Sequence, residues 1–226
     1  MAMLFSNSTT RALPPVGLHN AVVTGIYNVG SIWDQYKSGW RPNVILQIQL
    51  DKVDEMGKPI LAIKTLTGSM DPRATMRLWV ESLMCRTLSD QEANALDVSA
   101  ALLGKSCQVQ IVHSRKNDGG MTYKIKQFVP ATVAVAPASP PLEWDYRSGN
   151  YDVCPNWILK KVVTSQEYKA KYPNGGPAEA KLGAPQGFQG GGGQRFQPAP
   201  SSMPLTAPVP GGLASAVGQA QDDFDF

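Results

Sequence analysis

The run from Leu103 to Pro130, LGKSCQVQIVHSRKNDGGMTYKIKQFVP, restricts the fold more than any other stretch of the chain. Val109 and Ile111 alternate with Gln108 and Gln110, and Tyr123 and Ile125 alternate with Lys124 and Lys126. A period of two marks a strand with one face buried. Arg115-Lys116-Asn117-Asp118-Gly119-Gly120 separates the runs, and its Asn, Asp and Gly residues tolerate the positive φ angles of a tight turn. The stretch reads as a β-hairpin, apolar toward a core, with Gln110, Lys124 and Lys126 outward and Arg115 and Lys116 at its turn. A cationic outer face suits a polyanion, and it is equally what a plain solvated surface carries.

Upstream, a first strand runs from about Gly17 to Val29. His19, Ala21, Val23 and Tyr27 fall on one side, Val22 and Ile26 on the other, with Gly25 between. Apolar residues on both sides of a glycine-bent strand fit a strand shared by two sheet surfaces, as in a small closed barrel. Val44, Leu46, Ile48 and Leu50 alternate with Asn43, Ile45, Gln47 and Gln49 as a second strand. Asp54 to Lys58 forms a turn, and Ile60 to Leu66 a third strand with Lys64 among apolar neighbours. Asp71 and Pro72 then open a helix as cap and first residue, and Met76, Trp79, Val80 and Leu83 form its buried stripe, which assigns Trp79 to the core. Ser89-Asp90-Gln91-Glu92 reads as a capping box, and Asp97 to Leu103 as a further helical turn ended by Gly104.

Three strands, a helical insert and two strands make the plan of a mainly β, five-stranded OB-fold barrel, which binds ligands across strands two and three between the loops joining strands one to two and four to five. The first of those loops is Gly30 to Pro42, GSIWDQYKSGWRP, with Trp33, Tyr36, Trp40, Lys37 and Arg41. Aromatic rings stack on unpaired bases and interleaved cations meet phosphates, so these five are candidate nucleic-acid contacts. The alternative is that one or two rings fold back as a lid on the barrel. Lys64, Arg115, Lys116, Lys124 and Lys126 border the same expected groove as candidate phosphate contacts.

From Thr87 to Pro130 the chain resembles a family of bacteriophage replication-associated proteins similar to single-stranded-DNA-binding OB-fold proteins. The likeness rests on Ser89-Asp90-x-Glu92, on Leu102-Leu103-Gly104-Lys105-x-Cys107 leading into Val109-x-Ile111-Val112-His113, and on a glycine-containing turn followed by Tyr123. The resemblance implies a protein that coats single-stranded DNA in replication, recombination and repair, in the cytoplasm of an infected bacterial host. The final Asp222-Asp223-Phe224-Asp225-Phe226 looks like the acidic tails through which bacterial and phage single-stranded-DNA-binding proteins recruit replication and repair partners, although Asp225 stands where the bacterial tail has Pro.

The remaining sequence divides simply. Residues 1–16 are an irregular lead-in, 17–130 the barrel, 131–172 a Pro/Ala linker and short helical extension, and 173–226 a Gly/Pro-rich arm expected to be disordered. Within the extension, Pro155 begins a helix whose Trp157, Ile158 and Val162 are placed to pack back on the barrel; Lys160, Lys161, Lys169 and Lys171 lie on a basic track or a solvated face. Of 21 Lys and Arg only Lys181 and Arg195 follow Tyr172, against four of the 18 Asp and Glu, so a cationic body carries an acidic end. Cys85, Cys107 and Cys154 are too few and too scattered for a disulfide framework, and with only His19 and His113 no metal site or cofactor is expected. No signal-peptide pattern and no long apolar run is present, so no membrane partner is expected. Nucleotide-binding, metalloprotease and hydrolase motifs are missing, which argues against an enzyme. The competing reading is a phage OB-fold adaptor or structural module that binds another protein through the aromatic loop; self-association is a separate partner expectation, with no surface assigned to it.

Overall fold

A computed structural model describes residues 13–116 and 119–183. Its axis is β1 (Gly17–Asp34), 18 residues long. One edge of β1 pairs antiparallel with β2 (Gly39–Val53), from Ala21 opposite Leu50 to Asp34 opposite Gly39. β3 (Pro59–Thr67) lies outside β2. The other edge of β1 pairs first with β4 (Ser106–Arg115), from Gly17 opposite Ile111 to Val22 opposite Ser106. β5 (Met121–Pro130) lies outside β4. Where β4 leaves the edge, β6 (Leu142–Asp145) takes it up in parallel from Gly25 to Asn28. The order is β3-β2-β1-β4-β5, with β6 beside β1.

The fold is mainly β, as the sequence predicts, but the sheet is open rather than closed: among the described residues no backbone ladder joins β3 to β5. Tyr123 bridges these edges instead. Its hydroxyl accepts from the Ile63 N–H at 2.6 Å and donates to the Ile63 carbonyl at 3.3 Å.

β1 serves two cores because its register shifts between Val23 and Gly25, and again between Asn28 and Gly30. One inserted residue exchanges the faces of everything beyond it. Ile26 therefore joins Ala21 and Val23, while Tyr27 and Val29 turn the other way, the reverse of the uninterrupted alternation read from the sequence. Gly25 is required at the first shift, since a Cβ there would lie 2.7 Å from the Tyr27 ring.

Ala21, Val23 and Ile26 meet Leu46, Ile48, Leu50, Ala62, Val109, Ile111 and Phe128 in the first core, which the helical insert closes. The insert comprises α1 (Thr75–Met84), α2 (Asp90–Ala95) and α3 (Val98–Leu102). Trp79 is buried there, stacked on Phe128 at 4.3 Å with ring planes 5° apart. α1 begins at Thr75 rather than Pro72, because the Asp71 carboxylate is taken by the Arg73 N–H in a local turn. The capping box forms between Ser89 and Glu92, and Asp97 caps α3. Arg77, buried on α1, pairs with Glu81 and Asp90 and donates to the Leu88 and Met70 carbonyls, which fastens α1 to α2.

The second core lies on the opposite side of β1 and β2. Tyr27, Val29 and Ile45 are covered there by Trp144, Tyr151 and three helices, α4 (Asn156–Val162), α5 (Gln166–Lys171) and α6 (Pro177–Gly183). Ile158 and Val162 are buried as expected, and Trp157 packs edge-on to Tyr27 at 5.9 Å. Order continues past the expected end at Tyr172. Lys181 on α6 donates to the carbonyls of Tyr151, Asp152 and Cys154, and the Tyr168 hydroxyl accepts from the Ala178 N–H. The remaining expected arm, residues 184–226, and residues 1–12 lie outside the described residues.

Candidate functional site

The sequence reads Gly30 to Pro42 as a loop; in the structure most of it continues β1 and β2 as a paired arm. Ser31 faces Pro42, Ile32 faces Arg41, Trp33 faces Trp40 and Asp34 faces Gly39, leaving only 35–38 to turn. Aromatic residues favour strands and pair well across them, so the Trp content that marks the segment also makes it a ribbon. The Trp33 and Trp40 rings meet edge to face, 5.6 Å apart at 74°. At the tip, Asp34 accepts the Tyr36 and Lys37 N–H groups at 3.0 and 3.2 Å, and its other carboxylate oxygen lies 3.5 Å from Arg41 Nε.

None of the three rings is a lid. Trp33 is 52% exposed, Tyr36 75% and Trp40 38%, and Lys37 beside them is exposed. The base of the arm, in contrast, is fixed. Glu167 on α5 accepts the Ser31 N–H and the Ser31 hydroxyl, each at 2.7 Å. Asn28 donates to Asp145 at 2.8 Å, and Arg147 holds the same carboxylate. Burial opposes the ionisation of Asp145 and Glu167, but the bonds they accept outweigh it, and both carboxyls titrate below their ordinary range. Gly30 has φ +83°, and a Cβ on it would lie 2.7 Å from the Glu167 carboxylate.

The other expected cations are not gathered with the arm. Lys64 stands opposite Leu46, on the side of β3 shared with the core residues Ala62 and Leu66, and is half-buried. Arg115 ends β4 and Lys116 follows it, where the turn is closed by the Lys116 N–H on the Gly120 carbonyl at 2.8 Å. Lys124 is exposed opposite Val112. Lys126 is exposed at a bulge, because Gln110 faces Gln127 while Ile111 faces Ile125. The arm leaves the C-terminal end of β1, and Arg115 lies beyond its N-terminal end, past the Gly17 and Ile111 pair. The ten candidates thus divide into two sets off opposite ends of one strand, with Lys64 turned from both. Asp222, Asp223, Phe224, Asp225 and Phe226 lie outside the described residues.

A groove of about 1610 Å³ lies on the face of β1 and β2 away from the first core. Thr24, Tyr27, Gln47 and Gln49 line it, with Lys52 and Lys58 flanking the β2–β3 turn. Gln47 donates to the Thr24 hydroxyl at 3.2 Å and accepts from the Tyr27 hydroxyl at 3.4 Å. The sequence marks Gln47 and Gln49 only as the polar side of a strand; their groove is made by residues some ninety positions later, which no local pattern announces. Both histidines also take a role that spacing did not reveal: His113 on β4 bonds the Pro14 carbonyl and His19 on β1 the Pro15 carbonyl, holding these two prolines against the sheet.

Among the described residues no group of three or more His, Cys, Asp or Glu is arranged to hold a metal ion, and no helix is long and apolar enough to cross a membrane. No protein-family model matches the chain, and a search of curated proteins finds no match.

Proposed function

We propose that this chain binds single-stranded DNA without sequence specificity, as a non-enzymatic module of phage replication or recombination acting in the cytoplasm of an infected host. The observation that carries the reading is the arm, where three exposed aromatic rings and two cations stand on a ribbon anchored at its base by Glu167. Each ring offers about 1–3 kcal/mol of stacking per base irrespective of sequence, and Lys37, with Arg41 released from Asp34, would meet the phosphates between bases. The strand order, the insert between β3 and β4, and the Tyr123 bridge between β3 and β5 support an OB-type barrel whose last seam is closed by a side chain. The acidic end, Asp222 to Phe226, would recruit replication or recombination proteins.

A second reading, a protein-binding adaptor or a self-association contact, draws support from the mutual packing of Trp33 and Trp40, which makes one compact aromatic knob of the kind that anchors protein interfaces. Titrating the purified chain with oligo-dT, a duplex of equal length and oligo-U at several salt concentrations separates the two. Preferred binding of oligo-dT that weakens steeply with salt is the expected result. Binding of none of the three at low salt would overturn it.

A further inference from the structure

Lys160, Lys161, Lys169 and Lys171 belong to α4 and α5, and the structure brings both helices to the base of the arm. α4 begins beside β1, where Trp157 meets the Tyr27 ring, and the chain reaches Gly30 at Ser165, whose Cβ lies 3.1 Å from where a Cβ on that glycine would stand. Lys160 and Lys161 fall between these two contacts, in the last turn of α4. β6 pairs with β1 only as far as Asn28, and beyond it α5 takes over the outer edge of the strand. Glu167 accepts the Ser31 N–H there, in the place of a further strand.

Lys169 and Lys171 each stand one turn past a residue that touches the arm, Ser165 at Gly30 and Glu167 at Ser31. Residues four apart share a helix face. A helical turn rises about 5.4 Å, and Trp33 is two strand residues, about 7 Å, beyond Ser31. The rings of the arm and the ammonium groups of α5 are therefore neighbours, and Lys160, Lys169 and Lys171 are all exposed.

The charge of this surface is one-sided. Residues 30–42 together with α4 and α5 carry Lys37, Arg41, Lys160, Lys161, Lys169 and Lys171 against only Asp34 and Glu167. Both carboxylates are engaged, Asp34 by the Tyr36 and Lys37 N–H groups and by Arg41, and Glu167 by Ser31. Of the carboxylates on the elements packed beside them, Asp145 is held by Arg147 and Asn28, and Glu179 by the Gly176 N–H and the Tyr168 hydroxyl; Glu143 and Asp152 are exposed. The groove over β1 and β2, by comparison, sets Asp54 and Glu55 against Lys52 and Lys58.

We infer that single-stranded DNA stacked on the arm continues over α5 and α4, where Lys171, Lys169 and Lys160 meet its phosphates, rather than toward the β4–β5 turn. This rests on the nucleic-acid reading above and gives that ligand its path. A line of rings followed by cations matches a ligand made of bases and phosphates; an acidic peptide supplies only the second. Arg115, Lys116 and Lys124 stand off the other end of β1, past the Gly17 and Ile111 pair.

Two full-length variants, each lacking three positive charges, test the path: Lys160→Ala/Lys169→Ala/Lys171→Ala and Arg115→Ala/Lys116→Ala/Lys124→Ala. The slope of log oligo-dT affinity against log salt should fall by about 2 in the first, three phosphate contacts at about 0.7 each, and little in the second. Arginine at the same three helical positions should keep the slope. In the unaltered chain, bound oligo-dT should protect Lys160, Lys169 and Lys171 from acetylation and leave Lys124 and Lys126 reactive, a readout that needs no variant to fold. An unchanged slope in the first variant, equal losses in the two, or protection confined to the hairpin would each overturn the path. Equal protection by polyglutamate would assign the three lysines to an acidic protein instead. Wild-type protein that binds no oligo-dT would remove the nucleic-acid reading on which the path depends.

Discussion

Glu167 grips Ser31 twice, through its backbone N–H and its hydroxyl, both at 2.7 Å and across 136 residues of sequence. The contact joins α5 to the base of the aromatic arm. Replacing Glu167 with Ala should lower unfolding free energy by about 1.5–3 kcal/mol, as expected for charge-assisted bonds, read by urea denaturation. Because the folded carboxyl is held below its ordinary range, this contribution is complete above that range and fades as pH falls through it. Gly30→Ala should be destabilising at every pH, since it strains a left-handed backbone and crowds the same carboxylate.

The tryptophans separate by environment. Trp79→Ala, which empties a buried stack on Phe128, should cost about 3–5 kcal/mol of stability. Trp33→Ala at the exposed tip should cost about 0.5 kcal/mol or less, and thermal unfolding of the two variants compares them directly.

Joint replacement of Trp33, Tyr36 and Trp40 with Ala should weaken oligo-dT binding by several kcal/mol, at roughly 1–3 kcal/mol per stacked base, with the circular dichroism spectrum unchanged. Retained affinity would shift the reading to the protein-binding arm.

Salt dependence distinguishes the cations. Lys37→Ala should reduce the slope of log affinity against log salt by about 0.7, the value for one phosphate contact on a single strand. Lys64→Ala should leave the slope unchanged, because Lys64 stands on the core-facing side of β3. Equal effects at the two positions would contradict the division drawn here.

Acid should act first on the helical insert. The Ser89 N–H, followed by Arg86 and the Ser89 hydroxyl, lowers the Glu92 carboxyl to about 2, and Glu81 is lowered by the Leu88 N–H and Arg77. Glu92 therefore contributes stability above pH 4.5 that is lost as pH falls toward 2, and the contribution of Glu81 is lost in the same direction, with acid. Hydrogen exchange at falling pH should show α2 opening before the strands.

Much of this was legible because it is local. Alternation gives β2, β4 and β5, and the spacing of Ser89 and Glu92 gives the capping box. Alternation fails at Lys126 and at Gly25, where one extra residue breaks the period and only the paired strand reveals it. The aromatic content of the arm is plain in the sequence, but its conformation depends on Trp33 meeting Trp40. α6 is hidden by a Gly, Pro and Ala composition, since its order comes from Lys181 and Tyr168 contacts made over distance. The hold of Gln49 on Ala136 and Ala138 is hidden for the same reason, since these partners lie 87 and 89 residues away.

The shared edge of β1 also sets a timetable during synthesis. β2 follows β1 from the ribosome almost at once, but the residue that pairs with Gly25 on the other edge is Leu142. At about 5–20 residues per second that partner emerges on the order of ten seconds later. Until then the middle of β1 offers an unpaired backbone edge, the surface through which chains aggregate. Ribosome-bound chains halted soon after Pro130 should be cut by protease within β1, and chains carried on past Gly183 should resist. Equal resistance in both would mean that another segment guards the edge in the interval.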